Sequence, residues 1–410
     1  MKCRHCHAEL KHVFVDLVNC PPSNAMLTRE QLVMPEVYYP LKIFVCEKCL
    51  LVQVDEMKNA EEIFDEEYTY FSSYSTSWLE HSKKYVDYMM DRFGYDQNSR
   101  VIEIASNDGY LLQYFKAYNV PVLGIEPTAN TAKAAAEKGI ESIIEFFGTD
   151  FAQKRLVDKG IMADLIIGNN VLAHVPDVND FVQGMKRTLK KDGVITMEFP
   201  HLMKLVEENQ FDTIYHEHFS YYSFHAVRTI FNSQGLELFD VHEIPTHGGS
   251  LRIFAKHMED SSKEITKNVH DLLDKEKKAG MTTLAYYDGF QEIVDNIKYN
   301  TWEFLIRMKR EGKKVVGYGA AAKGNTLLNY CGIKGNDLIQ FVSDASPHKQ
   351  GKYLPASRIP VHEPDRIKEY QPDYVIIFPW NLKKEIGEQL SYIRDWGGKF
   401  VVFIPETSVF

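Results

Sequence analysis

The alternation of strands and helices after about residue 99 restricts the possible folds more than any other feature of the sequence. A buried-strand pattern, Val101–Ile104, runs into a tight turn ending at Gly109, and the helical segment YLLQYFKAYN follows. A second strand, in VPVLGIEP, ends in Glu126, and TANTAKAAAEKGI predicts a helix capped by Thr128 or Asn130. Later strands are predicted in ADLIIGNN and GVITMEFP. This alternation indicates an α/β fold with a mostly parallel sheet.

Polar residues collect where these strands end. Ligands of parallel sheets bind beyond the carboxyl ends of the strands. The turn after the first strand offers backbone N–H groups and a carboxylate, and Glu126 can accept two hydrogen bonds from a ribose diol. The turn does not match G-x-G-x-x-G, so a cofactor without a pyrophosphate fits better than a dinucleotide. The candidate cofactor-binding residues are Ser106, Asn107, Asp108, Gly109, Glu126, Asn169 and Asn170.

Two C-x2-C pairs predict a metal site near the N-terminus. Cys3 and Cys6 form one pair, and Cys46 and Cys49 form the other. This spacing lets two thiolates turn back on one ion, and two such pairs complete a tetrahedral site that suits Zn²⁺. Redox C-x-x-C motifs are the alternative, but the βαβ context that they favour is missing here. Four thiolates leave no position for a catalytic water, so we expect structural zinc.

Length and charge restrict the class of protein. The 410 residues are too many for one ordinary core, so two or three domains are expected. Hydrophobic residues make up 44% and charged residues 25%, which is typical of globular proteins. The net charge of -10 argues against general nucleic-acid binding, although a local patch can still bind an anionic substrate.

The sequence predicts a cytoplasmic protein without a membrane partner. The start, MKCRHCHAEL, lacks the apolar region of a secretory signal. No apolar run approaches the roughly 18 residues that a membrane helix needs. We therefore expect reduced cysteines, with Cys20 and Cys331 as ordinary buried residues. The oligomeric state stays open, and a monomer is compatible with the sequence.

Motifs along nearly the whole chain resemble, in the same order, those of the S-adenosylmethionine (SAM)-dependent deoxysugar C-methyltransferases. VIEIASNDGYLL is similar to the first motif of class I methyltransferases, in the E-I-x-S-N-D-G version of this family. The cysteine pairs, YTYFSSYSTSW, NNVLAHVPD, YHEHFSYYS, HGGSLRIF and GYGAAAKGNTLLN also resemble the family. The resemblance implies SAM as cofactor and adds Glu103, in the first motif, to the cofactor-binding residues.

The resemblance also implies the domain organisation and the substrate. A zinc-binding domain would span residues 1–65 and a Rossmann-like, SAM-binding methyltransferase domain residues 66–245. A second Rossmann-like α/β domain, at 246–410, would help to hold a sugar nucleotide. Members of the family methylate carbon 3, and in some cases carbon 5, of a nucleotide-linked 4-keto-6-deoxy sugar of the dTDP type. The nucleotide, the methylated carbon, the stereochemistry and the pathway stay open.

C-methylation beside a ketone needs a base to remove a proton and donors to hold the enolate. The segment IYHEHFSYYS, here called the histidine segment (Ile214–Ser223), crowds proton-handling side chains into ten residues. His174 follows the strand ADLIIGNN and should face the same cleft. The resemblance implies five catalytic residues, which are His218, Tyr215, Glu217, His174 and Tyr70.

The chemistry suggests a role for each of these residues. His218 is the expected base, because a histidine pKa lies near the working pH. Tyr215 and Glu217 would hold or polarise the sugar. His174 would hydrogen-bond the keto oxygen or assist proton traffic, and Tyr70 would reach in from the linker after the zinc domain. The division of roles among them stays open.

Other polar residues have ordinary structural explanations. Tyr221 and Tyr222 are expected to be half-buried and to lead into a helix capped by Ser223 and ended near Gly235. His216 is left undecided between a structural and a supporting role. An H-x-H pair can bind metal, but no further ligand set with suitable spacing lies nearby.

The C-terminal third predicts helices between about residues 256 and 313 and then a second α/β unit. The turn in GYGAAAKGNTLLN opens a helix, which is a natural phosphate seat. Lys323 could add charge there and Asn325 a hydrogen bond, although packing alone explains many glycine turns. His348, Lys349 and Lys352 are equally compatible with a solvated surface. Gly248 and Gly249 should turn the backbone sharply near the cleft, and Arg252 could contact a ligand; these three residues come from HGGSLRIF.

Three functions are compatible with these observations to different degrees. A sugar C-methyltransferase explains the cofactor turn and the proton-handling residues together. An O- or N-methyltransferase for another small molecule explains the turn but leaves those residues underused. A non-enzymatic zinc-binding module with degenerate Rossmann-like domains leaves the intact turn and Glu126 unexplained.

Overall fold

The computed structural model describes residues 1–57 and 71–410. Tyr70, one of the expected catalytic residues, lies outside the described residues. Within these two ranges the chain forms three β-sheets. No helix in the same ranges combines the length and the apolar character that a membrane crossing needs.

The first sheet joins the N-terminal part of the chain to the histidine segment. Strands β1 to β3 pair antiparallel in chain order, and β9 pairs with β3 through Val52–Tyr221 and Gln53–Ser220. A strand from the middle of the chain therefore completes a sheet that begins at residue 12. The strands are β1 (His12–Cys20), β2 (Tyr39–Val45), β3 (Val52–Val54) and β9 (Ser220–Tyr221).

The second sheet has seven strands in the order β10-β11-β8-β7-β4-β5-β6. Strands β8, β7, β4, β5 and β6 run parallel, which confirms the predicted α/β fold. Strand β11 pairs antiparallel with β8, and β10 pairs antiparallel with β11. The sheet therefore extends past residue 245, where we expected the middle domain to end. The strands are β4 (Val101–Ile104), β5 (Val122–Ile125), β6 (Ser142–Ile143), β7 (Ala163–Asn169), β8 (Leu189–Pro200), β10 (Leu236–Ile244) and β11 (Ser250–His257).

The third sheet is the second α/β unit expected at the C-terminus. Its order is β14-β13-β12-β15-β16-β17, and all neighbours are parallel except β16 and β17. The strands are β12 (Val315–Tyr318), β13 (Val342–Ser343), β14 (Val361–His362), β15 (Tyr374–Ile377), β16 (Lys399–Val402) and β17 (Ser408–Val409).

Helix ends follow local chemistry. The Ser75 side chain accepts from the Trp78 N–H at the start of α1, and Gly94 ends that helix with a left-handed φ of 65°. Ser223 caps α7 through the Ala226 N–H, as predicted. The helices are α1 (Thr76–Phe93), α2 (Leu112–Ala117), α3 (Ala129–Glu137), α4 (Thr149–Phe151), α5 (Val178–Thr188), α6 (Leu202–Glu207), α7 (Phe224–Ser233), α8 (Lys267–Ala279), α9 (Phe290–Arg310), α10 (Ala322–Cys331), α11 (Asp365–Tyr370) and α12 (Lys383–Gln389).

The three sheets meet at the histidine segment. The Phe219 N–H donates to the Ala173 carbonyl at 2.7 Å, and the Val54 N–H donates to the Phe219 carbonyl at 3.1 Å. From the C-terminal part, the Thr326 hydroxyl donates to the Ile214 carbonyl at 2.9 Å. The side chains of Ile214 and Phe219 are fully buried. The segment is therefore held by all three parts of the chain.

Candidate functional site

Glu126 holds the turn after β4 in shape. Asn107 has a left-handed φ of 48°, and its N–H donates to Glu126 Oε2 at 2.9 Å. Glu126 Oε1 accepts from the Thr128 N–H, also at 2.9 Å. Burial raises the pKa of Glu126, and these hydrogen bonds oppose that shift. The turn and Glu126 thus lie together at the carboxyl ends of β4 and β5.

Gly109 leaves no room for a side chain at the end of this turn. Its φ is 73°, and a Cβ would lie 2.5 Å from Ile140 Cδ1. The neighbouring Asp108 carboxylate pairs with Lys138 Nζ at 3.3 Å. The left-handed backbone and the close contact with Ile140 therefore both require glycine at this position.

Several buried polar atoms at this edge have no hydrogen-bond partner among the residues that the structure describes. They are both amide atoms of Asn169, the hydroxyl of Ser106 and Oδ1 of Asp108. A buried polar atom without a partner costs about 1–3 kcal/mol. Because these residues stand at or after the carboxyl ends of the neighbouring strands β4 and β7, where ligands of parallel sheets bind, they fit a polar small-molecule cofactor such as SAM.

Two of the expected cofactor-binding residues have different surroundings. Glu103 lies within β4 and is fully buried, burial raises its pKa well above the ordinary value, and neither carboxylate oxygen has a hydrogen-bond partner among the described residues. The Asn170 amide donates to His247 Nε2 at 3.1 Å, so this side chain faces the histidines. Cofactor contact stays a prediction for these two residues and for the other six candidates alike.

His218 and His174 lie against each other, with ring centroids 4.7 Å apart and planes at 70°. His218 Nδ1 is 3.2 Å from the Thr213 carbonyl, and His174 Nδ1 is 2.6 Å from the Glu217 carbonyl. A carbonyl only accepts, so we assign the ring proton to Nδ1 in both cases. Each Nε2 then keeps its lone pair, which is the form that a general base requires.

Burial keeps both imidazoles neutral. It lowers the pKa of His174 to about 4 and the pKa of His218 well below its ordinary value. The neighbouring His174, His247 and Lys323 lower the His218 pKa further, and the hydrogen bond to the Thr213 carbonyl opposes them. Both rings are therefore unprotonated at neutral pH, but the expectation that the pKa of His218 lies near the working pH was wrong, because burial lowers it.

Tyr215 and Glu217 border the same cluster. The Tyr215 ring lies 4.1 Å from the His218 ring, centroid to centroid. The Glu217 carboxylate is only 9% exposed and accepts from Asn24 Nδ2 at 3.1 Å and from Ser23 Oγ at 3.3 Å. The structure thus brings together four of the five expected catalytic residues, and an N-terminal loop supports one of them.

A buried carboxylate, Asp212, and a partly buried lysine, Lys323, lie beside the histidines and were not assigned to the active site from the sequence. Burial raises the pKa of Asp212 to about 7 and lowers that of Lys323 to about 8, and each charge partly opposes the shift of the other. The Trp380 indole N–H donates to Asp212 Oδ2 at 2.8 Å, and Lys323 Nζ lies 4.4 Å above the Trp380 ring. Of Asp212, Lys323 and Trp380, only Lys323 was recognised in the sequence, as a possible charge beside the glycine turn.

His247 was also missed, although its motif was recognised. It is a non-glycine residue with φ of 54°, followed by Gly248 at 89° and Gly249 at 110°. Its ring lies 5.4 Å from Trp78 of α1. The two glycines indicated a sharp turn, but they did not show that the turn directs a histidine toward His218.

Three other polar residues have structural partners. His216 Nε2 lies 3.2 Å from the Pro40 carbonyl, which favours a structural role. Arg252 donates to the buried Glu198 carboxylate at 2.6 Å instead of facing an open site. Asn325 Nδ2 donates to the Ser23 carbonyl at 2.6 Å, so this amide joins two parts of the chain.

The four paired cysteines form one metal-binding cluster. Their Sγ atoms all lie within 4.8 Å of one another, with Cys3–Cys49 at 3.5 Å and Cys6–Cys46 at 3.4 Å. Tetrahedral Zn–S bonds of about 2.3 Å require sulfurs about 3.8 Å apart, so the four thiolates fit one zinc ion. Gln53 Nε2 donates to Cys3 Sγ at 3.3 Å and supports that ligand from outside.

Three family models together match most of the chain. A zinc binding domain matches residues 3–64, a methyltransferase domain 78–241, and a C-methyltransferase C-terminal domain 245–405. With the cysteine cluster and the α/β sheet, these matches show a zinc-binding part and a SAM-dependent methyltransferase.

The chain is also similar to individual proteins, and the first of these supports the family. The C-methyltransferase NovU of Streptomyces niveus is 34% identical over 408 residues, which cover 100% of this chain and 96% of that protein. A ubiquinone biosynthesis O-methyltransferase of Bartonella quintana is 25% identical over 99 residues, 24% of this chain and 40% of that protein. The PH0226 protein of Pyrococcus horikoshii is 14% identical, with a TM-score of 0.37 over 46% of this chain and 95% of that one.

Asn169→Ala should weaken cofactor binding by about tenfold, because one ligand hydrogen bond is worth about 1 kcal/mol or more. Its amide has no partner within the described ranges, so the stability of the fold should not change. Calorimetric titration with S-adenosylhomocysteine measures the affinity. Asn300→Ala, an exposed change on α9, is the control. Equal affinities of the two variants would contradict the placement of the cofactor.

Cys46→Ser should remove the zinc ion and lower the melting temperature, because the metal replaces a core that this small part of the chain lacks. Metal analysis and thermal denaturation measure the two effects. Cys20→Ser changes a buried cysteine outside the cluster and should retain one zinc per chain. A stable, zinc-free and fully active Cys46→Ser protein would contradict a structural role for the metal.

Proposed function

Because this chain belongs to the SAM-dependent sugar C-methyltransferase family, we propose that it methylates a nucleotide-linked 4-keto-6-deoxy sugar of the dTDP type. The proposed reaction removes the proton from carbon 3, beside the ketone, and places a methyl group there. The product would be a branched deoxysugar still attached to its nucleotide.

The observation that carries this proposal is the orientation of His218. Its Nδ1 proton points to the Thr213 carbonyl, so Nε2 is free to take a proton from carbon. Transfer to a hydroxyl or an amine asks less of the protein, since those acceptors already carry a lone pair. A neutral, half-buried imidazole within a cluster of proton-handling groups therefore favours C-methylation over the alternative, an O- or N-methyltransferase.

Neighbouring groups are suited to the charge that develops on the sugar. Removal of the carbon 3 proton places negative charge on the keto oxygen, which needs a donor or a cation in a dry site. Tyr215 can donate its phenolic proton, and the positive charge of Lys323 acts on the same cluster. His174, whose Nδ1 proton is held by the Glu217 carbonyl, would accept or pass on a proton. SAM, when bound, supplies the electrophilic methyl group.

The C-terminal part would hold the nucleotide end of the substrate. Gly319, with φ of 90°, ends β12 and leads into α10. Backbone N–H groups at the start of such a helix attract phosphate oxygens. Lys323 lies in the first turn of α10, so the helix that would meet the diphosphate also directs a charge toward His218. This arrangement supports a substrate lying between the second and third sheets.

Solvent exchange tests the reaction class. In D2O, with SAM and a dTDP-4-keto-6-deoxy sugar, we expect deuterium at the carbon beside the ketone of the unreacted substrate, and a methylated product. Mass spectrometry and proton NMR measure both. Neither exchange nor C-methylation with any keto sugar nucleotide would reject the proposal, and a methylated hydroxyl or amine would support the alternative.

His218→Gln should lower kcat by about 10²–10⁴-fold while S-adenosylhomocysteine still binds, because a general base typically contributes that much. His225→Gln, seven residues further along at the start of α7, is the matched control and should keep full activity. Full turnover by His218→Gln would show that another group is the base.

A further inference from the structure

The residues between β1 and β2, here called the bridging segment (residues 21–38), connect the N-terminal part to the C-terminal part. The Leu27 N–H donates to the Tyr353 carbonyl at 2.9 Å, and the Tyr353 N–H donates back at 2.8 Å. Glu36 pairs with Arg358 at 3.0 Å. The segment is therefore fixed at two points on the C-terminal part.

Between these anchors and β1, the bridging segment contacts the Glu217 carboxylate. Asn24 Nδ2 donates to Glu217 Oε2 at 3.1 Å and lies 3.3 Å from Oε1, and Ser23 Oγ donates to Oε2 at 3.3 Å. The Ser23 carbonyl accepts from Asn325 Nδ2 of α10 at 2.6 Å. Ser23 is 3% exposed and Asn325 is 1% exposed, so this contact is inside the protein.

We propose that Asn24 and Ser23 are positioning residues that keep the Glu217 carboxylate ionised and aimed at the site, with Asn325 securing them. Two donors on one carboxylate oxygen favour its charged form and restrict its rotation. An ionised Glu217 can accept a hydrogen bond from a sugar hydroxyl, which orients the carbon to be deprotonated. The inference rests on the proposed function for this last step only.

The groups around Glu217 determine the direction of the effect. Burial raises its pKa, and the donors Asn24 and Ser23 and the positive charge of Lys349 lower it. Tyr221, buried on the other side, is influenced by the Glu217 charge. Loss of the Asn24 donor should therefore raise the pKa of Glu217. If the ionised form is the active one, activity should then begin to fall at a higher pH on acidification.

The test compares Asn24→Ala and Asn24→Asp with wild type. The Asp variant keeps the shape of the side chain but places a second carboxylate about 3 Å from the first, so it should shift the titration further than Ala does. Asn98→Ala is the matched control, since Asn98 is an exposed amide that donates to a carboxylate, Asp96, at 3.2 Å. Melting temperatures of all variants report whether the fold is intact.

Two measurements separate this inference from the proposed function. The first is a 13C NMR titration of the glutamate carboxyls, with the Glu217 signal assigned by its loss in Glu217→Gln. It needs no sugar substrate, and the Glu217 midpoint should rise in both Asn24 variants but not in Asn98→Ala.

The second measurement is the pH profile of kcat/KM with the keto sugar nucleotide. Its acidic limb should move up with the NMR midpoint, and activity at pH 7 should fall by about tenfold or more in Asn24→Ala.

An unchanged Glu217 titration in folded Asn24 variants would overturn the positioning role, whatever the activity assay shows. A shifted titration with an unchanged pH profile would overturn the link to catalysis. A shifted titration together with a wild type that methylates no keto sugar nucleotide would reject the proposed function and leave the support of Glu217 by Asn24 intact.

Discussion

The backbone of the histidine segment is held from three directions, and the geometry of the site depends on this. Phe219 is bonded on one side to the Ala173 carbonyl, which follows β7, and on the other side to the Val54 N–H of the first sheet. At the start of the segment, the Ile214 carbonyl accepts from Thr326 of α10. Arg4 adds a cationic contact, with its guanidinium 4.8 Å from the centre of the Phe219 ring. Movement of any one of the three parts would therefore alter the distance between His218 and the groups around it.

The same burial determines the protonation states of the site. Removal from water disfavours the charged form of an imidazole, so His218, His174 and His247 are neutral, and the charge of Lys323 lowers the pKa of His218 and His247 further. In a site of low dielectric constant, a charge that develops on the substrate interacts strongly with fixed dipoles and with Lys323. A base with a lowered pKa is weak in water, and it gains strength here only when its protonated form is stabilised by an enolate beside it.

The parts of the molecule that follow local sequence rules were predictable, and those that depend on distant contacts were not. The strand ends at Glu126 and Asn169 and the cap at Ser223 follow from patterns of a few residues. The pairing of Asn24 with Glu217 joins residues 193 positions apart, and that of Asn325 with Ser23 joins residues 302 apart. No periodicity encodes such contacts. The role expected for His218 came from the chemistry of proton removal as well as from the family resemblance, whereas His174 without the resemblance was equally compatible with a packed core.

The bridging segment and the first sheet connect the zinc site to the candidate active site. The metal holds the cysteine pairs, and Gln53 of β3 joins that cluster to the sheet through Cys3. The same sheet contains β1 and β2, which hold the two ends of the bridging segment, and β9, which lies inside the histidine segment. A loosened zinc site would release both Asn24 and the backbone that carries His218. Four thiolate ligands make the ion structural. It can still be necessary for catalysis without contacting a substrate, because the sheet that it stabilises supports the active-site residues.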